Sequence, residues 1–132
     1  MIDRAELRRI ARARLADAEV LLGAGRFDGA IYLGGYVVEI SLKARICRTL
    51  HWTGFPETRG EFQDYQSFKT HNLDVLLKLS GVSEKIKTTY LTEWSAVATW
   101  DPEARYNPVG TARDADARLL VQAAKQLLKA LA

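Results

Sequence analysis

The apolar positions in the first third of the chain fall at helical spacing. Leu7, Ala11, Leu15, Ala18 and Leu22 recur at three- and four-residue steps, tracing one seam of a helix that Asp3 can cap and that Gly23 and Gly25 stop. Asp28 is the next capping candidate. From there to about Leu50 no proline intervenes, and Ile31, Val38, Leu42 and Ile46 lie in a stretch that is apolar nearly all round. A helix of that kind belongs at the centre of a bundle, covered on several sides. Gly34 and Gly35 in its interior each cost up to about 1 kcal/mol relative to alanine, which predicts a close approach there, in a tight helix crossing or a dimer seam.

Beyond this helix the pattern loosens. Residues 52–70 carry Gly54, Pro56, Gly60 and several polar residues, a composition that predicts an excursion between helices and leaves its order open. Thr70 then precedes His71 and Asn72, and Leu73, Leu76, Leu77 and Leu79 give a short amphipathic helix that Gly81 ends. Ser83 can cap the following helix, whose apolar face is Ile86, Tyr90, Trp94 and Val97. Pro102, Pro108 and Gly110 keep residues 100–110 from being regular helix throughout, so this segment reads as a structured loop. A last helix from about Thr111, with Ala115, Leu119, Ala123, Leu127 and Leu131 along one stripe, closes the chain. No strand-type alternation, repeat or low-complexity tract is present. The pattern predicts a single all-α domain over residues 1–132, an up-and-down bundle of four main helices plus one short one.

Composition narrows this picture more than it adds to it. With 132 residues and 48% hydrophobic positions the chain can bury one ordinary core. No apolar run approaches the roughly 18 to 20 residues a membrane span needs, and Asp3 and Arg4 stand where a signal peptide would have its apolar core, so a cytoplasmic protein without a membrane partner is expected. Cys47 is the only cysteine, which precludes an internal disulfide, and no cluster of ligands offers a metal site, so no metal or cofactor is expected. The net charge of +3 is a weak bias, but its distribution is uneven: residues 1–27 hold six arginines against four acids. Arg4, Arg8 and Arg12 recur every fourth position and line one helix face beside Arg9. Two readings follow. Asp3, Glu6 or a neighbouring helix neutralises the stripe, or the stripe faces a polyanion.

The run from Arg26 to Cys47, with Tyr32, Gly34, Gly35, Tyr36, Glu39 and Lys43 in order, resembles the second-helix signature of the HEPN family. Thr70-His71-Asn72-Leu73 is similar to the Thr-His-x-Leu start of that family's short helix, and with the segment from Trp100 to Pro108 and the closing helix the likeness covers about residues 5–130. The resemblance implies a compact bundle that pairs with itself, often encoded beside a minimal nucleotidyltransferase. It also implies work on RNA or nucleotides, either as a metal-independent RNase of toxin–antitoxin or defence systems or as a binding or scaffold module. The RNase members carry an Arg, four to six intervening residues and then a His near the start of the last long helix. Here Arg105 fits by position and Asn107 has a family counterpart, but Gly110, Thr111 and Ala112 fill every place the histidine could take. Without a metal, cleavage needs a group that removes the 2′-hydroxyl proton near neutral pH, which imidazole does and these residues cannot. Arg105 retains the planar fork that holds a phosphate.

The resemblance therefore points to a binding or regulatory module without strong RNase activity. Arg105, Tyr106 and Asn107 would make the contacts to RNA, nucleotide or partner, Glu39 and Lys43 would position them, and Tyr36 and Trp100 would line the site. The alternative is an RNase with a rearranged site, in which His51 or His71 reaches Arg105. Arg45 or Arg48 with His51 is a third pairing, although six helical steps place Arg45 and His51 roughly 120° apart on a continuous helix. Each residue also has a plain structural reading. Glu39 and Lys43, four apart, form an ion pair completed by Arg105, and His71 bonds to backbone or a neighbouring helix. Trp94 and Trp100 are core or rim aromatics, and Cys47 is a small buried apolar residue.

Overall fold

The computed structural model describes all residues, 1–132, and is all-α apart from one two-residue strand pair. Helix α1 (Arg4–Gly23) and helix α2 (Phe27–Leu50) form an antiparallel pair, and the last helix, α6 (Asp114–Leu131), packs against both. Three seven-residue helices lie between α2 and α6: α3 (Leu73–Leu79), α4 (Ser83–Thr89) and α5 (Leu91–Val97). Asp3 caps α1 as expected, its carboxylate accepting from the Ala5 amide at 2.7 Å. Leu7, Ala11, Leu15 and Ala18 are buried along the seam read from the sequence.

Helix α2 is the central element, buried on several sides. The glycines in its middle have separate uses. A Cβ on Gly34 would stand 2.6 Å from Leu120 of α6, so the two helices cross tightly here. A Cβ on Gly35 would stand 1.9 Å from the Trp100 indole, so this glycine seats an aromatic ring from a loop rather than another helix. Cys47 is fully buried in the same helix, and burial pushes its thiol up to about 11.

Several local expectations are corrected. Asp28 does not cap α2: the cap position is Arg26, and Asp28 accepts instead from the Gly110 and Ala112 amides at 2.7 and 2.8 Å, tying the loop before α6 to the start of α2. Thr70 and Ser83 are not the caps either. Asn72 caps α3 through the Val75 amide at 3.1 Å, and Val82 precedes α4 without a side-chain bond. The helix expected over 83–98 is two short helices that break at Tyr90, whose φ of −120° and ψ of 35° leave the helical region. The β-branched pair Thr88-Thr89 just before it weakens helix propensity at that point. Helix α6 buries Ala117, Leu120, Val121, Ala124, Leu127 and Leu131, whereas Ala115 and Leu119 of the expected stripe are exposed. A strict four-residue ladder advances about 400° per step, drifts about 40° each time, and so leaves the buried face within a few steps.

The 52–70 excursion carries its own small core. Phe55 and Phe62 are buried and stack with Trp52, Tyr65 and Phe68 at centroid distances from 5.0 to 6.5 Å. Strand β1 (Ile2–Asp3) pairs antiparallel with β2 (Gly54–Phe55), placing Ile2 opposite Phe55 and pinning the excursion to the start of α1.

Candidate functional site

Tyr32, Tyr36, Glu39 and Lys43 recur along one face of α2. Glu39 is 2% exposed, and a buried carboxylate needs charged partners. It has two. Lys43 Nζ donates to Oε2 at 3.0 Å from the next turn of the same helix, and His71 Nδ1 lies 2.9 Å from Oε1. An ionised carboxylate only accepts, so this contact keeps a proton on Nδ1 and turns Nε2 outward. Lys43 Nζ also sits 5.3 Å above the Phe55 ring, joining the charged pair to the excursion's aromatic core. The third member of the Glu39–Lys43 pair is thus His71, in place of Arg105.

The other end of the stripe meets the loop before α6. Trp100, 8% exposed, lies edge-on to Tyr36 at a centroid distance of 5.0 Å, and Tyr36 is edge-on to Tyr32 at 5.2 Å. Burial first, and then the hydrogen bond with Tyr32, pushes the Tyr36 hydroxyl up to about 12. A 3₁₀ turn, Pro102–Tyr106, follows, with Asp101 capping it through the Glu103 amide at 2.7 Å. Arg105 projects from this turn with its guanidinium carbon 4.7 Å over the Tyr106 ring, and Tyr106, Tyr32 and Glu103 favour its charged form. Tyr106 meets the guanidinium through both its hydroxyl and its ring face, and Tyr32 through its hydroxyl. The nearest carboxylate oxygen, on Glu103, is 3.9 Å away, and the Pro102 carbonyl accepts a long bond at 3.5 Å. The guanidinium of Arg105 thus lies among hydroxyls and a carbonyl with no carboxylate closer than 3.9 Å, so its charge is not locally neutralised. Tyr106 is 72% exposed and Asn107 is open to solvent, so the three residues form an exposed basic and aromatic tip. Asn107 also lines a groove of about 430 Å³ with Ile31, Trp100, Asp116 and Leu119.

Neither histidine is bonded to Arg105. His71 is held at Glu39, seven residues or about 10 Å along the α2 axis from Tyr32, the residue beside Arg105. His51 occupies the left-handed position that ends α2, with φ 57°, and lines an open hollow with Trp52, Glu61 and Tyr65. The Arg45 and Arg48 pairings with His51 do not form: both guanidinia point to the backbone oxygen of Ala132, at 3.5 and 2.6 Å.

The reading of His71 as bonded to a neighbouring helix holds, and Glu39 of α2 is the partner that sequence reasoning did not name. That reasoning also missed that the arginines of α1 and α2 converge. Comparison with protein-family models, with curated proteins and with solved structures gives no match.

Proposed function

We propose that the protein is a HEPN-like binding or regulatory module that holds RNA or a nucleotide through Arg105, Tyr106 and Asn107 and lacks strong RNase activity. The observation that carries this reading is the separation of imidazole from guanidinium. The exposed arginine has no carboxylate closer than 3.9 Å and can take a phosphate, and the largely exposed Tyr106 beside it can stack a base. His71, whose Nε2 could take a 2′-hydroxyl proton, is anchored at Glu39, about two turns of helix from the arginine. Trp100 and Tyr36 hold the turn against α2, and Glu39 with Lys43 keeps that part of α2 in register. The family resemblance adds self-association, a nucleotidyltransferase partner and a cytoplasmic setting to the proposal. No helix is long and apolar enough to cross a membrane, which is compatible with it.

The test is incubation of the purified protein with single-stranded and structured RNA in chelator, beside binding measured across a salt series. The expected result is intact RNA and salt-sensitive binding that Arg105→Ala weakens. Cleavage lost in both His71→Ala and Arg105→Ala, or in both His51→Ala and Arg105→Ala, would establish the rearranged nuclease instead.

A further inference from the structure

A second basic feature lies on the other side of α2. Arg45 and Arg48 stand roughly opposite the Tyr36–Glu39–Lys43 face at 100° per residue, and Arg45 lies close enough to Arg8 of α1 for their charges to repel. Arg8 and Arg12 share a small hollow of about 40 Å³ with Ser41, Ala44 and Leu131, and Arg4 is one turn earlier on the same stripe.

None of these five arginines forms an ion pair. Of the acids expected to neutralise the stripe, Glu6 pairs with the neighbouring Arg9 and Asp3 caps its helix, while Asp17 pairs with Arg14. Arg8 Nε and Arg45 Nε are both buried without any acceptor. Burial, followed by the charges of Arg48 and Arg8, lowers the proton affinity of the Arg45 guanidinium, so the cations repel one another. Arg48 and Arg45 reach an oxygen of Ala132, the last residue of the sequence, at 2.6 and 3.5 Å, which offers at most one negative charge to five arginines. A buried donor without a partner is costly, and like charges held together are destabilising, so an anion bound here would relieve both.

We propose that Arg8, Arg12, Arg45 and Arg48, with Arg4 at the edge, bind backbone phosphates of RNA on a face of the bundle distinct from the Arg105 turn. Arginine presents two parallel donors to a phosphate, and steps of four residues along α1 rise about 6 Å, a spacing suited to successive phosphates of one strand. The choice of RNA as phosphate carrier rests on the function proposed above, whereas the case for an anion does not.

The experiment measures the affinity of the whole protein for a short single-stranded RNA over a salt series. It compares wild type with Arg8→Gln, Arg45→Gln, Arg45→Lys and Arg105→Ala, and with Arg118→Gln as a control, since Arg118 is exposed and paired with Asp114. The expected result is that Arg8→Gln and Arg45→Gln each weaken binding about fivefold at low salt and lower the salt slope by about one. Arg45→Lys keeps the slope, and Arg118→Gln changes nothing. If either variant folds poorly by circular dichroism, Arg12→Gln at an exposed position reads the same slope. Wild-type affinity in the α1 and α2 variants, with loss only in Arg105→Ala, overturns this inference and leaves the proposed function standing. The converse, loss in Arg8→Gln and Arg45→Gln but not in Arg105→Ala, supports the cluster and removes the Arg105 site. Absence of RNA binding in a protein whose melting temperature rises with inorganic pyrophosphate refutes RNA as the carrier.

Discussion

Opposite faces of the same helix treat charge in opposite ways. On one, a buried glutamate is matched by Lys43 and His71 within 3.0 Å, and the adjoining tyrosines close over Trp100. On the other, Arg45 and Arg48 join Arg8 of α1 with no side-chain carboxylate among them. The matched face explains itself as structure: desolvated charges are paired, and removing one partner strands another. The unmatched face has no such account from within the chain. Compensation thus separates charged residues that hold the fold from those that await a ligand.

The largest expected effect comes from breaking the matched face. Glu39→Ala leaves Lys43 without its buried partner and His71 without its anchor, and should cost on the order of 3 kcal/mol in urea unfolding. A loss well under that would mean the pair is held loosely and that the contrast between faces is overstated. Gly35→Ala comes next: its new methyl would occupy the indole of Trp100, with an expected cost of about 1–3 kcal/mol and a changed near-ultraviolet circular dichroism spectrum. Retention of both stability and spectrum would show that Trp100 is not wedged against α2. A smaller effect concerns pH. The Tyr36 hydroxyl is raised to about 12 from an unfolded value near 10, so the folded state keeps its proton longer. That contribution is complete below pH 10 and is lost as pH rises towards 12. Tyr36→Phe should therefore flatten the fall in stability over this window relative to wild type, while Cys47→Ala, whose thiol titrates towards about 11 in the folded protein, should flatten only its lower part. An unchanged profile in Tyr36→Phe would remove the tyrosine from the buried face.

The bundle was legible in the sequence where the pattern was one-sided. α1 has a narrow apolar seam with mixed three- and four-residue steps, and its boundaries and buried residues followed from that. α2 is apolar all round, so its length could be read but not its rotation. That Lys43 and Arg45 point apart follows from two helical steps, but which neighbours each side meets needed the fold. In α6 a ladder of four-residue steps led to Ala115 and Leu119, which the helix turns to solvent. The candidate site was less legible. Arg105, Tyr106 and Asn107 were found as a motif, but that His71 belongs to Glu39 depends on α3 packing beside α2, a contact 32 residues apart in sequence. The arginine stripe of α1 was visible; its continuation onto α2 was not, because Arg45 and Arg48 read equally well as a solvated helix end.

The most direct measurement is urea unfolding of Lys43→Gln and Arg45→Gln at low salt in phosphate-free buffer. Both remove one positive charge from α2, two residues apart. The expected result is opposite behaviour: Lys43→Gln loses about 2 kcal/mol because Glu39 is left underpaired, whereas Arg45→Gln is neutral or more stable because repulsion is relieved. Equal losses in the two variants would contradict the division of α2 into a compensated face and a ligand-seeking one.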